Sequence, residues 1–245
     1  MKKTIYLAAI TLITIGCVIY GVYGFSNRGL SFSFGSSNSN TAIEESATLE
    51  SFERITVDAD VMDFIVKEGS AYALDYQGTK NLVMSYRVDN GELVITQKKK
   101  NGMIGNNEAT LILTVPADAQ FAKVNLDIDV GDIDLREMNT SFLDADIDVG
   151  DVTVEKANIE QAVIESDTGD IKLKGCAFVK LDISSDVGDV EVSSSADISR
   201  YTYDLKTDVG EVEVYAGDYG RKYYQEGENG KISVRADVGD ITVMD

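Results

Sequence analysis

Beyond residue 50 the chain alternates apolar and polar positions in short bursts, and one four-residue signal punctuates them: Asp, any residue, Gly, then Asp or Glu. It stands at Asp89-Asn90-Gly91-Glu92, Asp129-Val130-Gly131-Asp132, Asp148-Val149-Gly150-Asp151 and Asp167-Thr168-Gly169-Asp170. It returns at Asp186-Val187-Gly188-Asp189, Asp208-Val209-Gly210-Glu211 and Asp237-Val238-Gly239-Asp240. Gly131, Gly150, Gly169 and Gly188 are each 19 residues apart, and the next gaps are 22 and 29. Asp60-Val61-Met62-Asp63 reads as a degenerate copy. Self-similarity at a fixed period marks an array of structural repeats.

Aligned on their glycines, the copies give apolar columns. Five positions before the glycine stand Tyr86, Leu126, Ala145, Ile164, Ile183, Leu205 and Val234; two after it stand Leu93, Ile133, Val152, Ile171, Val190, Val212 and Ile241. Val57, Ala59, Phe64 and Val66 of the degenerate copy fit the same frame. Each copy is thus predicted as strand, tight turn, strand. One such unit cannot bury its apolar face, whereas units stacked in register bury a continuous one. A constant pitch demands that each rung reuse the same path, so the expected fold is an all-β solenoid, β-helix-like, over residues 51–245. At about 4.8 Å per rung, roughly ten rungs would make a rod about 45–50 Å long. A locally antiparallel pairing of residues 93–97 with residues 111–115 remains open.

The Asp-x-Gly-Asp-Ile-x-Val repeats and the lead-in Leu111-Ile112-Leu113-Thr114-Val115-Pro116 resemble the bacterial β-strand-repeat "putative adhesin" family, which is grouped with the toast-rack domains of cell-envelope stress proteins. The resemblance covers residues 51–245. It implies a solenoid-like domain at the envelope, brings no catalytic residues, and suggests adhesion as a role.

Charge narrows the partners. The formal net charge is −20, and no acidic residue precedes Glu44. So acidic a body repels nucleic acid and anionic lipid, and favours cations and basic partners. The chain has no histidine and two cysteines, so neither a zinc site nor a disulfide framework is expected.

At the N-terminus, residues 4–25 form an uncharged run of 22 residues behind Lys2 and Lys3. As a helix it would be roughly 33 Å long, enough to cross a bilayer, and the lysines argue for an N-in orientation. The run is long for a signal-peptide core, which favours an uncleaved anchor over residues 1–25. Cleavage after Val22-Tyr23-Gly24 and lipoprotein processing at Cys17 are the alternatives. All three place the rest of the chain outside the cell membrane. Residues 26–50, rich in serine and asparagine, read as a flexible linker.

Three features could carry chemistry. Asp129, Asp148, Asp167 and Asp186 should stack in one column, and Asp132, Asp151, Asp170 and Asp189 in another. At 4.8 Å spacing, unit charges repel by about 0.9 kcal/mol in water and about 3.5 kcal/mol at an effective dielectric of about 20. Either the first Asp of each turn accepts turn amides while the second points into water, or neighbouring rungs share Ca²⁺. The second feature is Lys98-Lys99-Lys100 and the polar loop after it, a basic break in the array. The third is the gap before Gly239, where Tyr219, Arg221, Lys222, Tyr223 and Tyr224 would suit a glycan or peptide surface, or cover the solenoid's side. Cys176, in a column with Met138, Ala157 and Ser195, reads as a small buried thiol. Without histidine, or a serine or cysteine elbow, nothing suggests catalysis. The expected function is a non-enzymatic surface module for binding or scaffolding. An envelope-stress sensor acting through a membrane partner and, more weakly, a polysaccharide-active β-helix enzyme are the alternatives. The last copy ends two residues before the chain does, so this end is expected to meet either another copy end to end or a partner that adds a strand.

Overall fold

The computed structural model describes residues 42–99 and 108–244; the anchor, most of the linker and the loop after Lys99 lie outside them. Among the described residues every regular element is a strand. The first are β1 (Ala42–Thr48), β2 (Arg54–Ala59), β3 (Asp63–Gly69), β4 (Ala73–Thr79), β5 (Leu82–Asp89), β6 (Glu92–Lys99), β7 (Ala109–Pro116) and β8 (Gln120–Phe121). The regular array follows as β9 (Lys123–Val130), β10 (Ile133–Arg136), β11 (Asn139–Val149), β12 (Val152–Glu155), β13 (Asn158–Thr168), β14 (Ile171–Val187) and β15 (Val190–Ser194). Last come β16 (Thr202–Val209), β17 (Val212–Val214), β18 (Gly217–Asp218), β19 (Lys222–Gln225), β20 (Lys231–Val238) and β21 (Ile241–Met244).

Strands before the Asp-x-Gly-Asp corner form one parallel sheet and strands after it a second, with the core between them. In the first sheet β6, β2, β9, β11, β13, the second half of β14, β20 and β16 lie side by side. In the second, β7, β3, β10, β12, the first half of β14, β15, β21 and β17 follow the same order. The described residues thus build eight rungs, where about ten were expected. Side chains alternate because strand residues point to opposite faces: β11 buries Leu143, Ala145 and Ile147 while Asp146 and Asp148 are exposed. Each branched aliphatic so buried contributes roughly 1.5–3 kcal/mol.

The corner explains the glycines. From Gly131 to Gly239 these six residues hold φ between 140° and 154°. A Cβ on Gly150 would lie 1.7 Å from the Gly131 carbonyl oxygen, and one on Gly169 would lie 1.8 Å from that of Gly150. Both the dihedral and the contact with the rung below therefore exclude a side chain. Met62 holds the same corner in the β2–β3 rung, as its degenerate motif suggested. It has no positive φ and is fully buried. β6 and β7 are two sides of one rung, not an antiparallel pair.

Four expectations change. Asp89-Asn90-Gly91-Glu92 is not a solenoid corner but a hairpin within one sheet, joining the antiparallel β5 and β6. Asn90 at φ 50° and Gly91 at φ 72° give the primed turn that suits such a hairpin. Leu93 therefore stacks beside Ile55 rather than with Ile133. The linker ends earlier than residue 50, because residues 42–48 form β1 on the outer edge of β4. Cys176 aligns with Ser194, not Ser195, across a register shift in β14. Finally, the last copy is interior: β20 sits between β14 and β16, and β21 between β15 and β17, with Val243 fully buried. The physical end is the Gly210 rung, so the bare terminal rung expected at Val243 does not exist.

Candidate functional site: an aromatic and basic end cap

The segment between β17 and β20 closes the Gly210 rung. Tyr215 and Ala216, at φ 51° and 61°, reverse the chain so that β18 pairs antiparallel with β17. After a second reversal at Gly220, β19 pairs antiparallel with β16, setting Tyr223 opposite Leu205 and Gln225 opposite Tyr203. Antiparallel strands of two and four residues end the parallel stack, and such short edges offer little template for another strand.

The tyrosines of this region divide by depth. Tyr201 and Tyr203 belong to the core: the Tyr201 hydroxyl donates to the Phe178 carbonyl at 2.7 Å, and that of Tyr203 to the Ile198 carbonyl at 2.8 Å. Tyr223 is half-buried, edge-on to Tyr203 at 5.6 Å, and burial pushes its hydroxyl pKa up. Tyr219 leans on Tyr223 with ring centroids 4.4 Å apart. Tyr215, Tyr219 and Tyr224 are 40%, 47% and 69% exposed. Arg221 and Lys222 are exposed beside them, and among the described residues neither forms an ion pair. Asp208 lies near both and titrates below the usual carboxylate range, held first by its hydrogen bond to Lys206. Of the expected partner-binding residues, Tyr219, Arg221, Lys222 and Tyr224 present free faces or charges, while Tyr223 supports them. Tyr215, in the same gap, joins the exposed set; its hydroxyl lies 2.9 Å from that of Tyr203. The core role of Tyr201 and Tyr203 was visible in the spacing, since with Leu205 they occupy alternate positions.

The two aspartate columns stand along the corner, with their roles reversed from the expectation. Asp129, Asp148, Asp167 and Asp186 are exposed. It is the second Asp of each turn that accepts an amide, and the amide belongs to the next rung. Asp132 Oδ1 takes the Asp151 N–H at 2.9 Å, Asp151 Oδ1 that of Asp170 at 2.9 Å, and Asp170 Oδ1 that of Asp189 at 3.0 Å. The ladder continues from Asp189 to Asp240 at 2.8 Å and from Asp240 to Glu211 at 2.9 Å. A charge-assisted bond per rung offsets the repulsion within the column. Burial, then the neighbouring carboxylates, push Asp132 above the usual range; Asp129 is raised by burial, then by Asp60 and Asp148. Among the described residues no three acidic side chains converge as a cation cage would need, and one oxygen of each of Asp132, Asp151, Asp170 and Asp189 is already committed.

At the opposite end the acidic corner meets the chain's own cations. Lys98 Nζ lies 2.6 Å from Asp58 and 3.0 Å from Asp60, and the Lys99 amide donates to Asp60 at 2.7 Å. Burial pushes Asp60 up, but the Lys99 amide and the Lys98 ammonium outweigh it, so its carboxyl titrates below the usual range. At the other end of β2, Phe52 packs on Tyr72 at 4.8 Å and on Phe121 at 5.8 Å, flooring an open cleft of about 720 Å³ edged by Glu53, Asn90 and Asp118. Cys176 is fully buried, its thiol donates to the Val154 carbonyl, and burial raises its pKa.

Solved structures and a family model are similar to this chain. A "putative cell adhesion protein" from Clostridium sporogenes is 12% identical, with a TM-score of 0.48 over 83% of this chain and 99% of that one. A "putative adhesin" from Bacteroides fragilis is 15% identical, with a TM-score of 0.44 over 86% and 100%. A "Putative lipid binding protein" from Parabacteroides distasonis is 14% identical, with a TM-score of 0.31 over 85% and 98%. Among curated proteins nothing matches the chain. The family model Toastrack DUF4097 matches residues 52–244, from the first buried aromatic to the end of β21. The chain belongs to the Toastrack DUF4097 family.

Proposed function

We propose that this protein is a non-enzymatic module of the cell-envelope surface, held by residues 1–25 in the membrane with its β domain outside, which binds envelope glycan through its aromatic and basic end cap. The uncharged run behind Lys2 and Lys3 supports the anchor. One observation carries the binding reading: the rung-closing segment turns Tyr219, Tyr224, Arg221 and Lys222 to solvent, on a chain whose net charge is −20. A cover for the stack needs only the half-buried Tyr223; exposed tyrosine faces beside unpaired cations add surface for stacking and hydrogen bonding to sugar rings.

The test is sedimentation of the full chain, in detergent micelles, with purified cell-wall glycan. Replacing Tyr219, Arg221 and Tyr224 together by alanine should weaken binding about tenfold or more, since a few central contacts carry most interface energy. The melting temperature should stay within a few degrees, because these side chains are exposed. Undiminished binding by the triple variant would contradict the reading.

A further inference from the structure

The two ends of the solenoid finish differently. At the Gly210 end each sheet has one antiparallel cap strand, β19 on one and β18 on the other. At the opposite end the first sheet stops at β5, whereas the second carries β4 and then β1 beyond it. The second sheet therefore overhangs by one strand, and the level beside β5 and across from β1 holds no strand among the described residues.

Both walls of this step are built for a strand. β5 runs eight residues and, among the described residues, pairs only with β6. Asp89 and Glu92 flank the two-residue turn and exchange both hydrogen bonds, so residues 85 and 87 also point their N–H and C=O groups toward β6. Those of Met84, Tyr86 and Val88 point into the step. The side chains of these three residues are only partly buried against the end of the core, and Val83 is 46% exposed. Across the step, Ile43, Glu45 and Ala47 stand opposite Gly78, Tyr76 and Leu74. Opposed residues of an antiparallel pair share a face, and Leu74 and Tyr76 are buried. Ile43, Glu45 and Ala47 thus face the open level, with Ile43 37% exposed. The overhang also bars a second solenoid: a two-fold pairing of β5 with its copy would drive the copy's β4 into β1.

We propose that this step is a docking site for one extended segment of a partner protein, added antiparallel to β5, apolar at alternate positions and carrying a lysine or arginine where it meets Glu45. The apolar positions would cover Met84, Tyr86, Val88 and Ile43; the cation would answer a carboxylate turned toward the core side of its sheet. Strand addition of this kind draws affinity from main-chain hydrogen bonds and specificity from alternate side chains.

Three peptides test it on the full chain in detergent micelles: valine and threonine alternating around a central lysine, the same with central glutamate, and a scrambled control. By fluorescence anisotropy the lysine peptide should bind about tenfold or more tighter than the glutamate peptide, with Glu45→Lys reversing the order, as an opposed charge pair across an interface predicts. On binding, the amides of Met84, Tyr86 and Val88 should exchange at least about tenfold more slowly. Binding of neither ordered peptide, equal binding of the scrambled one, or indifference to Glu45→Lys would overturn the proposal. So would amides at 84, 86 and 88 that are already slow in the free chain, or that slow with protein concentration, since the edge would then be closed by the chain itself or by a second copy.

Discussion

Gly150 and Gly91 sit in the same four-residue motif and do different work. Gly150 has φ 148° and the Gly131 carbonyl where its Cβ would be; Gly91 has φ 72° and nothing within 4 Å of that position. Gly150→Ala should therefore cost about 3 kcal/mol or more, combining strain with a backbone clash. Gly91→Ala should cost about 1 kcal/mol, from dihedral strain alone. Urea melts of the full-length variants measure both, and equal costs would show that the corner is misassigned. The signal separating the two was in the sequence: Asn-Gly is the hairpin dipeptide, whereas Val-Gly and Thr-Gly mark the corners.

Strands β9 to β15 were legible as elements because a repeat of fixed pitch exposes its own register: the columns flanking each corner glycine, read from the 19-residue spacing, reappear as stacked rows, and only beyond the register shift in β14 does the column of Cys176 slip. The amide ladder was not legible, since either aspartate of the turn could accept, and only the corner's path decides. That ladder can be separated from a charge or cation role at Asp151. Asp151→Asn keeps an oxygen for the Asp170 amide and removes one charge from the column, so stability should stay within about 0.5 kcal/mol of the parent or rise. Asp151→Ala leaves that amide without its acceptor and should cost about 1–2 kcal/mol. A loss from asparagine as large as that from alanine would mean the charge, not the hydrogen bond, matters at this position.

At the scale of the whole domain, the order of rungs departs from the order of the chain at both ends. β6–β7 is laid outside β2–β3, which precedes it, and β20–β21 slips inside β16–β17. A column of valines and isoleucines fits equally well at any level of the stack, so pattern alone cannot order the rungs; only the widened gaps of 22 and 29 residues hinted that something intervenes. The exchange has a functional consequence, because it makes the tyrosine segment the end of the solenoid instead of an excursion from its side. The cap reading stands on that exchange. Hydrogen exchange of the full chain tests it most directly. Interior strands open only with the stack, whereas a terminal rung frays. The amides of residues 231–238 and 241–243 should exchange as slowly as those of β13, and more slowly than those of β16. Fast exchange across residues 231–243, with β16 protected instead, would put the last repeat at the end of the rod and take the cap with it.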